Sequence, residues 1–176
     1  MPTSHKSSIT NHGFTLIEIL VVLVVFAFIG LIVAQSVIST LRGAAKADSD
    51  ARVRSNLDYV SSILDRHLRN AVSVSCPAVP PPALPTRVDY IDQRENPGSF
   101  YLNGSGADRH IASGSALLRV SADDVTTTTV EFTCNTAIGN NPPSVTFTIT
   151  LEDRNQQGVL KSSATTTQTI NLRTNL

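Results

Sequence analysis

The 176-residue sequence has no tryptophan, one methionine and two cysteines, and its Phe and Tyr residues total nine. So few rings argue against a large aromatic binding surface. Two cysteines are too few to hold a metal by themselves. No charge sign is in excess: 14 Lys and Arg balance 14 Asp and Glu. That balance excludes a generally basic nucleic-acid binder, and no nucleic-acid partner is expected. Charged residues are 16% and hydrophobic residues 41%, which excludes a disordered tail protein. The length fits one domain with a small additional segment. The motifs of a P-loop, GxSxG, HExxH or CxxC are missing, so nothing points to an enzyme, a resident metal or a cofactor. Proline is absent between Pro2 and Pro77, so a long helix can run there unbroken.

The apolar content is concentrated near the amino terminus. Phe14 to Ala34 is a 21-residue run whose one charge is Glu18. As a helix it spans roughly 30 Å, the thickness of a bilayer's hydrocarbon core. The preceding residues 1–13 are polar and carry Lys6, which predicts a leader on the cytoplasmic side and export of the bulk. A cleaved secretory signal would need a small-residue site after the run, such as Ala34-Gln35-Ser36, and a shorter run. An uncleaved anchor explains everything except Glu18. A carboxylate within an apolar helix costs up to about 2.5–3.5 kcal/mol at the bilayer centre and less near its edge, so it calls for a partner.

The segment Gly13-Phe14-Thr15-Leu16-Ile17-Glu18 resembles the processing motif of type IV pilins and pseudopilins: Gly, then Phe, then Glu four residues later, heading an apolar helix. The resemblance implies cleavage after Gly13 by a prepilin peptidase, which also methylates the new amine of Phe14. It implies that Glu18 of an incoming subunit pairs with the Phe14 amine of a subunit already in a filament. The implied partners are that peptidase and methyltransferase, other pilin or pseudopilin subunits, an inner-membrane assembly platform with its ATPase, and membrane lipid. The implied location is the bacterial cytoplasmic membrane, single-pass with an exported head, then a periplasmic pseudopilus or a surface pilus.

Beyond the apolar run, Val53, Leu57, Val60, Leu64, Leu68 and Ala71 recur at spacings of four, three, four, four and three. This stripe predicts an amphipathic helix packed on a sheet, continuing the first helix from Phe14 to about Val72, with Gly43 as a weak point. The run Leu64 to Ala71 is similar to the helix end of J-type minor pseudopilins and W-type minor pilins. Major pilins often carry a proline midway along the apolar stretch; only Gly30 softens it here. His67 lacks clustered partners at helical spacing and reads as a helix-surface residue.

Five prolines between Cys76 and Pro85 predict a stiff extended connector. Residues 86–115 read as loop-rich, with Ser99–Leu102 a short strand. Ala116–Ser121, Val125–Cys134, Ser144–Leu151 and a last strand or pair over Val159–Arg173 read as strands with short turns, hence an antiparallel meander. Fourteen of 19 threonines follow residue 125. Asp123-Asp124 reads as a solvated turn. Asn103 to Asp108 offers loop oxygens for calcium without the regular acidic spacing of a calcium loop. In an exported domain Cys76 and Cys134 form a disulfide or remain two buried thiols; a bond would close a 59-residue loop and contribute up to about 4 kcal/mol.

The expected fold class is α+β, type IV pilin-like: a long N-terminal helix packed on a C-terminal antiparallel sheet. Its expected divisions are a leader 1–13, a membrane or filament-core helix 14–38, an amphipathic helix 39–75, a Pro-rich linker and loop 76–115, and a sheet 116–176. The function implied by the resemblance is a minor pseudopilin of a type II secretion system. The alternatives are a minor pilin of a type IV pilus and a membrane-anchored binding module that does not polymerise.

Overall fold

The structure is a computed structural model that describes residues 14–77, 85–114, 118–135 and 142–172. The leader with Gly13, most of the Pro-rich connector, Ala116 and Leu117, the Gly139–Asn141 turn and Arg173 lie outside the described residues. The chain divides into two compact units, residues 1–43 and 44–176. Helix α1 runs over Leu16–Arg69.

In the first unit every described residue is exposed. The most apolar 18-residue window of α1 has a mean hydropathy of 3.2 and buries nothing within the chain, so it is long and apolar enough to cross a membrane.

The second unit has its own core. All six residues of the sequence stripe, Val53 to Ala71, are buried there. α1 stops at Arg69, three residues before the expected end. Val72 gives its N–H to Ile91 O (2.8 Å) instead of continuing the helix, because Val72-Ser73-Val74-Ser75 alternates as a strand does.

Among the described residues eight strands follow: β1 (Ser73–Ser75), β2 (Arg87–Ile91), β3 (Pro97–Asn103), β4 (His110–Ser113), β5 (Leu118–Arg119), β6 (Val125–Asn135), β7 (Ser144–Asp153) and β8 (Ser163–Asn171). All pairings are antiparallel. The expected single meander is two sheets, ordered β1-β2-β3-β4-β5 and β6-β7-β8. Their seam is stitched by hydrogen bonds from Phe132 N–H to Pro85 O and from Thr127 N–H to Arg109 O, both 2.8 Å. The strand expected at Ala116–Ser121 contracts to Leu118–Arg119 among the described residues.

Residues 86–115, read as loop-rich, hold β2, β3 and β4. Val88 and Tyr90 alternate inward in β2 against Arg87 and Asp89, a period hidden by its five-residue length. Val88 faces Phe100 in register and Phe132 faces Phe147, and these residues fill the core. β7 alternates as expected: Val145, Phe147, Ile149 and Leu151 are fully buried, and the threonines between them are not.

Cys76 and Cys134 form a disulfide that ties the chain just after β1 to β6. The bonded alternative of the sequence reading is therefore the one adopted.

Candidate functional site at the amino-terminal helix

Thr15 stands just before α1, and its hydroxyl and carbonyl both accept from the Glu18 N–H, at 3.3 and 3.1 Å. Ile19 N–H reaches the same carbonyl at 3.3 Å. Thr15 therefore caps the helix, and Glu18 takes the third helical position, as in the Thr-x-x-Glu capping box. The sequence reading passed over Thr15, although that spacing signals the cap. A carboxylate in the first turn is also favoured by the positive end of the helix dipole.

Phe14 is 77% exposed immediately before the cap. Phe14 precedes Glu18 by four residues and lies outside the helix, and Gly13 falls outside the described residues. Around Glu18, Leu16, Ile17, Ile19 and Leu20 are all exposed. The arrangement offers an acid at the head of an apolar helix that is exposed over residues 16–43 among the described residues.

The other sequence candidates have structural partners. His67 is exposed on α1, yet its ring packs at 5.7 Å from the Phe100 ring, and its Nδ1 lies 3.3 Å from the Tyr90 hydroxyl. Asp108, in the loop considered for calcium, pairs with Arg119 (3.3 Å) and Arg154 (3.4 Å). Asp123 pairs with Arg119 at 2.8 Å. Among the described residues no group of three or more His, Cys, Asp or Glu side chains gathers as a metal site.

A polar clasp holds the start of the second unit's helix to the β7–β8 connection. Lys46 Nζ donates to Lys161 O (2.7 Å) and Ser162 Oγ (3.0 Å), and the Ser162 hydroxyl donates to Asp50. Arg52 bridges Asp48 (3.2 Å) and the buried Asp153 (3.3 Å), which also accepts from Asn155 N–H at 2.7 Å. Burial pulls the Asp153 carboxyl upward. The adjacent Ser49 hydroxyl, the Asn155 N–H and the Arg52 charge outweigh it and hold the carboxyl below the ordinary carboxylate value. The Ser162 hydroxyl is the main cause that lowers Asp50.

No curated protein and no solved structure matches the chain. Residues 10–34, which contain the cap, Glu18 and the start of the exposed apolar helix, match the family described as the prokaryotic N-terminal methylation motif. The chain thus carries the amino-terminal signature of type IV pilins and pseudopilins.

Proposed function

We propose that the chain is a prepilin-like structural subunit, cut after Gly13, methylated on Phe14 and assembled into a filament through Glu18. The observation that carries this is the methylation motif set on a helix whose apolar surface has no partner among the described residues. Cleavage creates a cation on Phe14, and Glu18 of another subunit supplies the anion. Two such charges at about 4 Å attract by roughly 4 kcal/mol at an effective dielectric of 20. The pair also fixes register, since a slipped helix leaves a charge unpaired among apolar side chains.

Within this class we read the chain as a minor pseudopilin of a type II secretion system. The unbroken helix without a midway proline and the helix end around His67 support that reading over a pilus subunit. Neighbouring genes separate the two: an outer-membrane secretin with secreted hydrolases favours secretion, and a retraction ATPase favours a pilus.

The capping box favours one further reading, in which Glu18 only starts the helix of a membrane tether that never polymerises. The two readings part on Glu18→Gln, which keeps a capping-box residue but no charge. Under the assembly reading Glu18→Gln and Glu18→Ala both lose filaments while N-terminal processing continues. Filaments from Glu18→Gln at the parent level would discard the charge pair. Processing itself is read from the N-terminal peptide mass of protein from native membranes. The expected chain starts at N-methylated Phe14; one starting at Met1 would overturn the proposal.

A further inference from the structure

We propose that the turn between β7 and β8 docks on the surface of the membrane that α1 enters, with Val159 sunk to the boundary between lipid headgroups and acyl chains.

The proposal rests on α1 crossing a membrane. As a helix, the exposed stretch from Leu16 to Leu41 spans about 39 Å. A bilayer with its headgroup layers measures about 40–45 Å. Leu41 therefore reaches the outer headgroup layer. Lys46 follows five residues later, and chain length alone keeps it within about 17 Å of Leu41.

The second unit's own contacts give the direction of the turn. Lys46 Nζ donates to Lys161 O and Ser162 Oγ. Farther along both elements, a groove of about 410 Å³ lies between Arg54, Leu57 and Asp58 of α1 and the start of β8, Ser163 to Thr166. β8 and α1 therefore climb in the same sense from this end of the unit. The turn that precedes β8 sits at the end where the apolar stretch joins.

The turn is ordered. Leu160 N–H donates to Gln157 O (3.3 Å) and Lys161 N–H to Gly158 O (3.2 Å), while Gly158 takes a φ of 59°. Next to that glycine Val159 is 89% exposed, more than any other large apolar side chain of the described residues, those of the apolar stretch included. A lone exposed valine is ordinary on a protein surface. This one is held out by a hydrogen-bonded turn at the membrane end of its unit. The acids around it are neutralised: Asp50 by Lys46 (3.7 Å), Asp48 by Arg52 (3.2 Å) and Glu152 by Lys161 (2.5 Å). This end of the unit thus does not repel anionic lipid. Gln157 and the amine of Lys161 suit a headgroup layer while the valine enters the apolar boundary beneath it.

The test uses the full chain in vesicles of phosphatidylethanolamine and phosphatidylglycerol that carry a spin-labelled lipid as quencher. Both natural cysteines are bonded to each other, so Gln157→Cys introduces the sole free thiol, and it takes an environment-sensitive fluorophore. This fluorophore is expected to lose about half its emission to the quencher. Val159→Asp in the same chain removes no packing and should cut that loss roughly threefold. The same fluorophore on Thr133→Cys, exposed and about 20 Å farther along the strands, is expected to keep its emission. Equal quenching at 157 and 133, or quenching at 157 that survives Val159→Asp, would overturn the proposal. Flotation with the vesicles reads the helix separately. A chain that does not float overturns the membrane-crossing reading and this proposal together; one that floats without quenching at 157 overturns this proposal alone. The contact goes beyond the assembly reading and needs neither processing nor filaments, so Glu18→Ala should leave the quenching unchanged.

Discussion

Gly98 lacks a side chain where the Tyr90 ring needs the space: a Cβ there would overlap the end of that ring. The ring cannot swing away freely, because it stacks on Phe100 at 5.5 Å and its hydroxyl meets His67. Gly98→Ala should therefore lower stability by about 1–3 kcal/mol, the usual cost of overpacking. Thermal or denaturant unfolding checks it, and Tyr90→Leu in the same chain should recover part of the loss. Asp153 makes a second residue-scale prediction. Its carboxyl is 1% exposed and lowered relative to the unfolded chain. Its stabilising contribution is complete above the unfolded value near pH 4 and fades as pH falls through the lower folded value. The stability difference between the parent chain and Asp153→Asn should be full at pH 7 and shrink below about pH 4 in an acid titration series.

Among the elements, those with a long repeat were legible in the sequence. The stripe from Val53 to Leu68 marked the buried face of α1, and the alternation from Val145 to Leu151 marked β7. The short strands β1, β2 and β4 were not. Three to five residues hold one or two alternations, and their pairing is decided by distant partners such as Ile91 for Ser73 or Phe100 for Val88. The break between the two sheets was equally hidden, since seam bonds to Pro85 and Arg109 leave no local pattern. Of the candidate site, Phe14 and Glu18 stood out by spacing, while Thr15 was overlooked because its cap is visible in the same letters only when read as a helix start. The disulfide gives this scale its prediction. Cys134→Ala should cost about 2–4 kcal/mol in equilibrium unfolding, because it restores chain freedom to the unfolded state. A loss below 0.5 kcal/mol would mean that the seam bonds alone hold β6 against the first sheet.

For the whole molecule, the division into an exposed apolar unit and a unit with its own core has a direct outcome. Every buried hydrophobic residue of the core lies between Val53 and Leu172. Residues 44–176, produced in an oxidising compartment, should fold alone, unfold cooperatively and carry the Cys76–Cys134 bond. Circular dichroism melting and an intact mass two hydrogen atoms below the reduced value check both points. A non-cooperative melt would show that the apolar unit is required for the fold.

The position of that bond matters once a chain is under tension. A chain pulled by its helix would feel force entering at Arg69 and passing into the strands. Cys76 follows seven residues later, and the bond carries the force straight to β6, bypassing the 57 residues between the cysteines. Those residues would otherwise yield roughly 200 Å of slack when stretched. Past β1, which lies between Arg69 and Cys76, the covalent shortcut makes β2 to β5 passengers, and pulling strains β6 before it can unravel them.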